Sequence, residues 1–123
     1  MKQLLLVFLG GGLGSALRFI IGKLYNTQQF PLGTFLVNCI GCLLIGLIIG
    51  YGLKQNSFLK EHHMLILATG FCGGFTTFSS FAYENINLLK TGDYSNFLLY
   101  TLGSLILGFL LVFAGLHISK EFI

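Results

Sequence analysis

The sequence has few charges, a single proline and no carboxylate in its longest apolar runs. Of its 123 residues, 54% are hydrophobic and only 9% are charged. This composition is far from that of a soluble globular domain. The chain is therefore predicted to reside in a lipid bilayer.

The motifs of several catalytic and binding classes are also missing. The early glycines and Gly22-Lys23 complete neither a phosphate-binding loop nor a dinucleotide fingerprint, because the spacing and the preceding strand are both absent. Cys39 and Cys42 form one C-x-x-C with no second pair and no histidine nearby in sequence, which favours small core residues over zinc or redox chemistry. We therefore expect neither an enzyme nor a nucleic-acid-binding protein.

Four apolar stretches are each long enough to cross a membrane. They cover residues 3–21, 33–53, 64–83 and 97–116, close to the ~20 residues that a helix needs to span the hydrocarbon core. Runs such as "LLIGLIIGYGL" lack the alternation of barrel strands, so the spans are predicted to be helices. The first is interpreted as a retained helix because three more spans follow it. The expected fold is an all-α, multi-pass protein of the cell membrane, with one four-helix domain over residues 1–123.

The charges in the loops differ little between the two sides of the membrane. Four lysines fall on the side of the termini: Lys2, Lys54, Lys60 and Lys120. The other side has Lys23, Lys90 and, if it is counted, Arg18. So small a bias barely specifies orientation under the positive-inside rule. One hypothesis is that the chain inserts in both orientations and pairs as an antiparallel, dual-topology homodimer, and the alternative is a single orientation set by this weak bias.

Small residues recur at four-residue spacing along the spans. Examples are Gly10 and Gly14 in the first span and Gly70 and Gly74 in the third. Such rows let helix backbones approach closely where the hydrophobic effect cannot hold helices together. Tight helix packing is therefore their predicted role.

Two of the spans carry a narrow stripe of hydrogen-bond donors. Thr34 and Asn38 lie four residues apart on the second span, and Tyr100 and Ser104 lie four apart on the fourth, so each pair shares a helix face. Each residue alone is more typical of a contact between helices, but together the stripes indicate a lined path. Donors without carboxylates, with Arg18 as the only cation inside a span, favour an anion over a cation.

Aromatic residues on the third span fit the same interpretation. Phe78 and Phe81 lie three residues apart on one helix face, and the positive edges of their rings can turn toward an anion. Paired phenylalanines are more often simple core residues. Glu84 and Asp93 are expected at or near the membrane interface, where water solvates them.

The stretch "GFCGGFTTFSSF", residues 70–81, is poorly suited to a continuous helix. Its glycines each weaken helix propensity by ~1 kcal/mol, and Thr76 and Thr77 offer side-chain hydrogen bonds that compete with those of the backbone. Unwound backbone is tolerated in a membrane only where protein, water or an ion covers it, and such carbonyls hold sodium in some transporters. We predict that the third helix is broken mid-membrane and presents carbonyl oxygens to a small cation, supplied twice by two antiparallel subunits.

Three motifs together resemble a known family. "GGGLGSALRF", "GTFLVNCIG" and "GFCGGFTTFSSF" are similar, in order and spacing, to the signatures of the Fluc/CrcB family of fluoride channels. The resemblance covers essentially the whole chain. It implies a dual-topology homodimer with two antiparallel pores, through which fluoride leaves the cell passively, and a structural sodium ion (Na+) at the dimer centre.

The resemblance also implies roles for individual residues. The fluoride path would be lined by Phe78, Phe81, Asn38, Thr34, Tyr100 and Ser104. Main-chain carbonyls of Gly73 and Thr76 would hold the sodium ion. The further functional candidates are Arg18, Thr77, Ser79 and Glu84. Gly108 stands where the family often has another hydroxyl, so the inner part of the polar track differs here.

Two other functions stay open from the sequence. A small multidrug exporter is also a four-helix, dual-topology protein, but proton-coupled cation export needs an embedded carboxylate, and the first three predicted spans contain none. A non-transporting membrane subunit or assembly factor would use the polar stripes only to join helices.

Overall fold

The computed structural model describes residues 1–55 and 57–122, and its regular elements there are helices. They are α1 (Lys2–Tyr25), α2 (Leu32–Gly52), α3, α4 (Phe78–Lys90) and α5 (Tyr94–Phe122). Helix α3 consists of three consecutive segments: Glu61–Met64, a π-helical stretch Leu65–Cys72, and Gly73–Phe75.

The four predicted spans correspond to four helical units. If α3 and α4 are taken as one bent helix, Glu61–Lys90, the described residues contain four helices long and apolar enough to cross a membrane. The prediction of an all-α protein with four membrane-capable helices and a bent third one is confirmed. The bent helix Glu61–Lys90 extends well beyond the predicted span 64–83, and α5 extends well beyond the predicted span 97–116. In both, the polar ends continue the helix into the loops.

The helices approach one another most closely at glycines. A Cβ atom at Gly14 of α1 would collide with the carbonyl oxygen of Phe71, and one at Gly74 of α3 would collide with the backbone of Gly11. Gly46 of α2 lies in the same way against the backbone of α5. Backbones this close gain dispersion contacts that lipid alone does not provide. The packing role predicted for the rows of small residues is thus confirmed, and it places the end of α3 directly beside α1.

Short turns join the helices at the end of the molecule away from the termini. An antiparallel bridge between Asn26 and Pro31 closes the loop from α1 to α2. Gly92, with φ of 75°, ends α4, and the next amide, that of Asp93, donates to the carbonyl of Leu88 at 2.9 Å. This is the left-handed glycine that helix ends commonly use, and it turns the chain back into α5.

Much of the apolar surface of the single chain is uncovered. Val37 and Tyr100 are fully buried, whereas Phe8 on α1 and Phe109 on α5 are each 74% exposed. Soluble monomers rarely expose large contiguous apolar surface. Lipid or another protein chain must cover these faces.

Candidate functional site

An open groove of about 440 Å³ runs along the bend between α3 and α4. Side chains from α2, α3, α4 and α5 line it. The predicted site residues among them are Asn38, Gly73, Thr76, Thr77, Phe78, Phe81 and Ser104. No acidic residue is among the described residues that line this groove. The bend therefore brings most of the predicted site together, and the described side chains that line the groove carry no negative charge.

The bend itself consists of two extended residues. Thr76 has φ −87° and ψ 159°, and Thr77 has φ −151° and ψ 124°. The amide of Thr77 donates to Asn38 Oδ1 at 2.7 Å, and Asn38 Nδ2 donates to the Thr77 carbonyl at 3.0 Å. The glycines were expected to unwind, but Gly73 keeps helical dihedrals of −62° and −39°. The change of direction falls at the threonines because Asn38 supplies the hydrogen bonds that an extended backbone lacks.

The four carbonyls of residues 73–76 lose their helical partners at this bend. In an uninterrupted helix the amide of Thr77 would donate to the carbonyl of Gly73, and the amide of Ser80 to that of Thr76. Instead, the amide of Thr77 donates to Asn38 Oδ1, and the amide of Ser80 donates to Thr77 Oγ1 at 3.2 Å. The carbonyl oxygens of Gly73 and Thr76 are therefore without their helical partners, and oxygen is the donor atom that hard cations prefer.

Helix α1 satisfies a neighbouring carbonyl at the end of α3. Arg18 Nε donates to the carbonyl of Gly74 at 2.9 Å, and Ser15 Oγ donates to the same oxygen at 3.3 Å. A cation at the C-terminal end of a helix also interacts favourably with the helix dipole. Arg18, predicted only as a functional candidate, therefore stabilises the end of α3.

The start of α4 is capped within the groove. Thr77 is the N-cap residue, and its Oγ1 accepts the amide of Ser80, an interaction that favours helix initiation. The hydroxyl of Ser79 lies 3.4 Å from Thr77 Oγ1 on the exposed side. Of the two further hydroxyl candidates, Thr77 thus shapes the bend and Ser79 remains at the surface.

Three other predicted residues form a separate polar cluster nearer the loops. The hydroxyl of Thr34 donates to Glu84 Oε1 at 2.7 Å, and the hydroxyl of Tyr100 donates to Glu84 Oε2 at 3.1 Å. Glu84 is half-buried and borders two outer pockets of about 500 and 830 Å³. The interfacial position expected for this carboxylate is compatible with these pockets, and two hydroxyl groups from other helices bind it in addition. The predicted stripes are therefore divided: Asn38 and Ser104 line the groove, whereas Thr34 and Tyr100 bind Glu84.

Replacing Tyr100 by phenylalanine tests this cluster. The change keeps the ring, which packs on Phe30 with centroids 5.5 Å apart, and removes only the hydrogen bond to Glu84. We expect the free energy of unfolding to fall by about 1 kcal/mol, measured by thermal unfolding in detergent. The matched control is Tyr83→Phe, because Tyr83 is 68% exposed; equal losses in the two variants would show that the Glu84 contact contributes nothing.

Polar residues that were not predicted support the site. Asn26 Nδ2 donates to Thr34 Oγ1 at 3.2 Å, and Asn26 Oδ1 accepts the Thr34 amide at 3.0 Å. Asn85 is 7% exposed and accepts a hydrogen bond from Thr101 Oγ1 at 2.8 Å. The signal that could have identified Asn85 and Thr101 is the one used for Asn38, a polar side chain within a membrane-spanning helix.

One donor in the groove has no partner among the described residues. Ser104 Oγ is buried, and within the described part of the chain it makes no hydrogen bond. The ring of Phe81 lies 5.9 Å from that of Phe78 and 5.0 Å from that of Tyr100, centroid to centroid. Phe78 is 78% exposed in the single chain. A free hydroxyl that lines the same groove as two aromatic rings is an arrangement that can bind a small anion.

Comparison with known proteins identifies relatives over nearly the full length. Residues 5–116 match the family described as "CrcB-like protein, Camphor Resistance (CrcB)". The chain is 47% identical to the "Fluoride-specific ion channel FluC" of Phocaeicola vulgatus, over 98% of this chain and 100% of the relative. It is 51% identical to the protein of the same name from Gloeothece citriformis and 46% identical to that from Flavobacterium psychrophilum, each over 98% of this chain and 99% of the relative.

Proposed function

Because this chain belongs to the CrcB family, we propose that it is a fluoride-specific ion channel that lets fluoride leave the cell passively. It is a multi-pass membrane protein, and the relatives described above are named as channels rather than as enzymes. The observation that carries the proposal is the buried Ser104 hydroxyl, which lines the groove and has no partner among the described residues. An unsatisfied buried polar group is destabilising, so a ligand that accepts its hydrogen bond accounts for its presence.

The groove offers fluoride a replacement for its hydration shell. Fluoride is small and strongly hydrated, so a dry path must supply donors and add no negative charge. Ser104 provides a hydroxyl, and the amide of Asn38 has a second hydrogen beyond the one bonded to Thr77. Ring edges of Phe78 and Phe81 supply partial positive charge. Chloride is larger and fits a narrow donor track less well.

The outer pocket of about 500 Å³ is the proposed entrance. Arg18 and Lys23 line it together with Thr34 and Glu84, and the two cations raise the local concentration of anions. In this conformation Thr34 and Tyr100 donate to Glu84. A fluoride ion that passes along these two hydroxyls replaces the carboxylate oxygens as their acceptor.

A sodium ion is the proposed occupant at the carbonyls of Gly73 and Thr76. The donor set fits, because both oxygens lack their helical partners, and oxygens suit a hard cation. Two oxygens are too few by themselves, since hard cations such as Ca²⁺ gather six or more. A second copy of the chain would supply another pair, so that the ion would fix two bent helices together.

The same surface supports a homodimer. Gly73, whose carbonyl has lost its helical partner, is exposed in the single chain, and so is Ser79. Unpaired backbone groups do not face lipid, so a protein surface has to cover the bend. The nearly balanced loop charges favour an antiparallel second copy, inserted in the opposite orientation.

The topology of the dimer is tested by locating a C-terminal tag in intact cells. We expect the tag on both faces of the membrane, because the lysine bias is small. In the double variant Lys23→Gln and Lys90→Gln, the bias becomes large, and the tag is expected on the cytoplasmic face alone. A wild-type tag on one face only would exclude the dual-topology arrangement.

Growth of bacteria that lack their own fluoride exporter tests the function. Expression of this protein is expected to restore growth in fluoride and to lower cytoplasmic fluoride. A well-expressed protein without either effect would favour the non-transporting subunit. Rescue that depends on a proton gradient would favour a coupled exporter over a channel.

A further inference from the structure

Asn38 is joined to the bend by two hydrogen bonds that bridge distant parts of the chain. Its Oδ1 accepts the amide of Thr77 at 2.7 Å, and its Nδ2 donates to the carbonyl of Thr77 at 3.0 Å, across 39 residues of sequence. A single carboxamide thereby satisfies both backbone groups of one extended residue, as a neighbouring strand would.

These bonds compete directly with closure of the helix. If Thr77 returned to helical dihedrals, its amide would donate to the carbonyl of Gly73. An amide without a partner is costly in a membrane, so in the absence of Asn38 the Thr77 amide is driven toward that carbonyl. Capture of the Thr77 amide by Asn38 is therefore what leaves the Gly73 oxygen free.

The other contacts at the bend do not have this effect. Arg18 and Ser15 bind the carbonyl of Gly74, which is adjacent in sequence to Gly73, and these two described side chains do not bind the Thr77 amide. The side chain of Thr77 binds the amide of Ser80 and so starts α4. Among the described side chains, Asn38 alone binds the amide that would otherwise close on Gly73.

We propose that Asn38 is a positioning residue for the cation at the bend, in addition to donating a hydrogen bond to the anion. By holding Thr77 extended, it keeps the carbonyl of Gly73 available to sodium. The inference rests on the proposed function, which supplies the cation. It makes one side chain the physical link between the anion path and the cation site.

The test is the thermal stability of purified full-length protein measured against sodium concentration, with choline replacing sodium. Asn38→Leu removes both hydrogen bonds at similar volume, and the sodium concentration for half-maximal stabilisation is expected to rise about tenfold. Asn87→Leu is the matched control, because Asn87 is exposed on α4 and is not among the residues that line the groove. Its sodium midpoint is expected to equal that of the wild type.

Asn38→Asp separates the two roles of this residue. The carboxylate still accepts the Thr77 amide but repels fluoride, so we expect fluoride flux to be lost and the sodium midpoint to stay at or below the wild-type value. Amide exchange at Thr77 is expected to be slow in this variant and fast in Asn38→Leu. If Asn38→Leu does not fold, Asn38→Asp still tests the positioning role through its sodium midpoint and its rate of amide exchange at Thr77. A sodium midpoint of Asn38→Asp above the wild-type value overturns the proposal.

Failure of the inference is distinct from failure of the proposed function. An unchanged sodium midpoint in Asn38→Leu, with a sodium-dependent wild type, overturns the positioning role and leaves the channel intact. A wild type that shows fluoride flux without any response to sodium removes the cation and this inference together, but not the fluoride path. Lack of fluoride flux in the wild type contradicts the proposed function itself.

Discussion

Replacing Phe81 by isoleucine is expected to lower fluoride flux by about 100-fold, equivalent to about 2.7 kcal/mol. The ring lines the groove and lies next to Phe78 and Tyr100. Isoleucine fills much of the same apolar volume but has no positive ring edge to offer an anion. Flux is measured with a fluoride electrode outside loaded liposomes, at equal protein density.

The control for this variant is Phe8→Ile. Phe8 is 74% exposed on α1 and does not belong to the groove, so its loss should leave flux at the wild-type level. Both proteins are expected to elute as the same oligomer on size exclusion. Wild-type flux through Phe81→Ile would mean that this ring is a packing residue and that the path lies elsewhere.

Replacing Gly14 by valine is expected to prevent assembly of the folded protein. A Cβ atom at this position would collide with the carbonyl oxygen of Phe71 and lie 2.7 Å from the amide nitrogen of Phe75. Overpacking of this kind costs about 1–3 kcal/mol even against side chains, and backbone atoms cannot move away by changing rotamer. The measured quantities are the yield of monodisperse protein and its melting temperature.

Gly12→Val is the matched control on the same helix. A Cβ atom there meets no atom of the described residues within 4 Å, while the change in helix propensity is the same as at Gly14. We expect this variant to fold and melt close to the wild type. Equal damage at Gly12 and Gly14 would indicate that the loss arises from the valine itself rather than from the contact between α1 and α3.

The architecture could be predicted because its determinants are local. Apolar length defines the four membrane-capable helices, and the glycines and threonines of residues 70–81 indicate where the third one bends. The exact residues of the bend could not be predicted, since Gly73 stays helical and Thr77 becomes extended through bonds to Asn38. The π-helical stretch Leu65–Cys72 also has no signal in the hydrophobic pattern.

The residues of the site could be predicted better than the contacts they make. Helical spacing pairs Thr34 with Asn38 and Tyr100 with Ser104, but spacing does not tell which partner each finds across the bundle. Glu84 accepts the hydroxyls of Thr34 and Tyr100, whereas Ser104 Oγ has no partner among the described residues. Such a division depends on how the helices are rotated against each other, which tertiary packing decides.

Fluoride efflux from liposomes containing the purified protein, loaded with equal potassium fluoride and potassium chloride and without a proton gradient, tests the central claim most directly. A potassium ionophore balances the charge, and two electrodes follow the two halides. The account predicts rapid release of fluoride while chloride is retained. Retention of fluoride, or release of both halides at similar rates, would contradict a fluoride-specific path along the bent third helix.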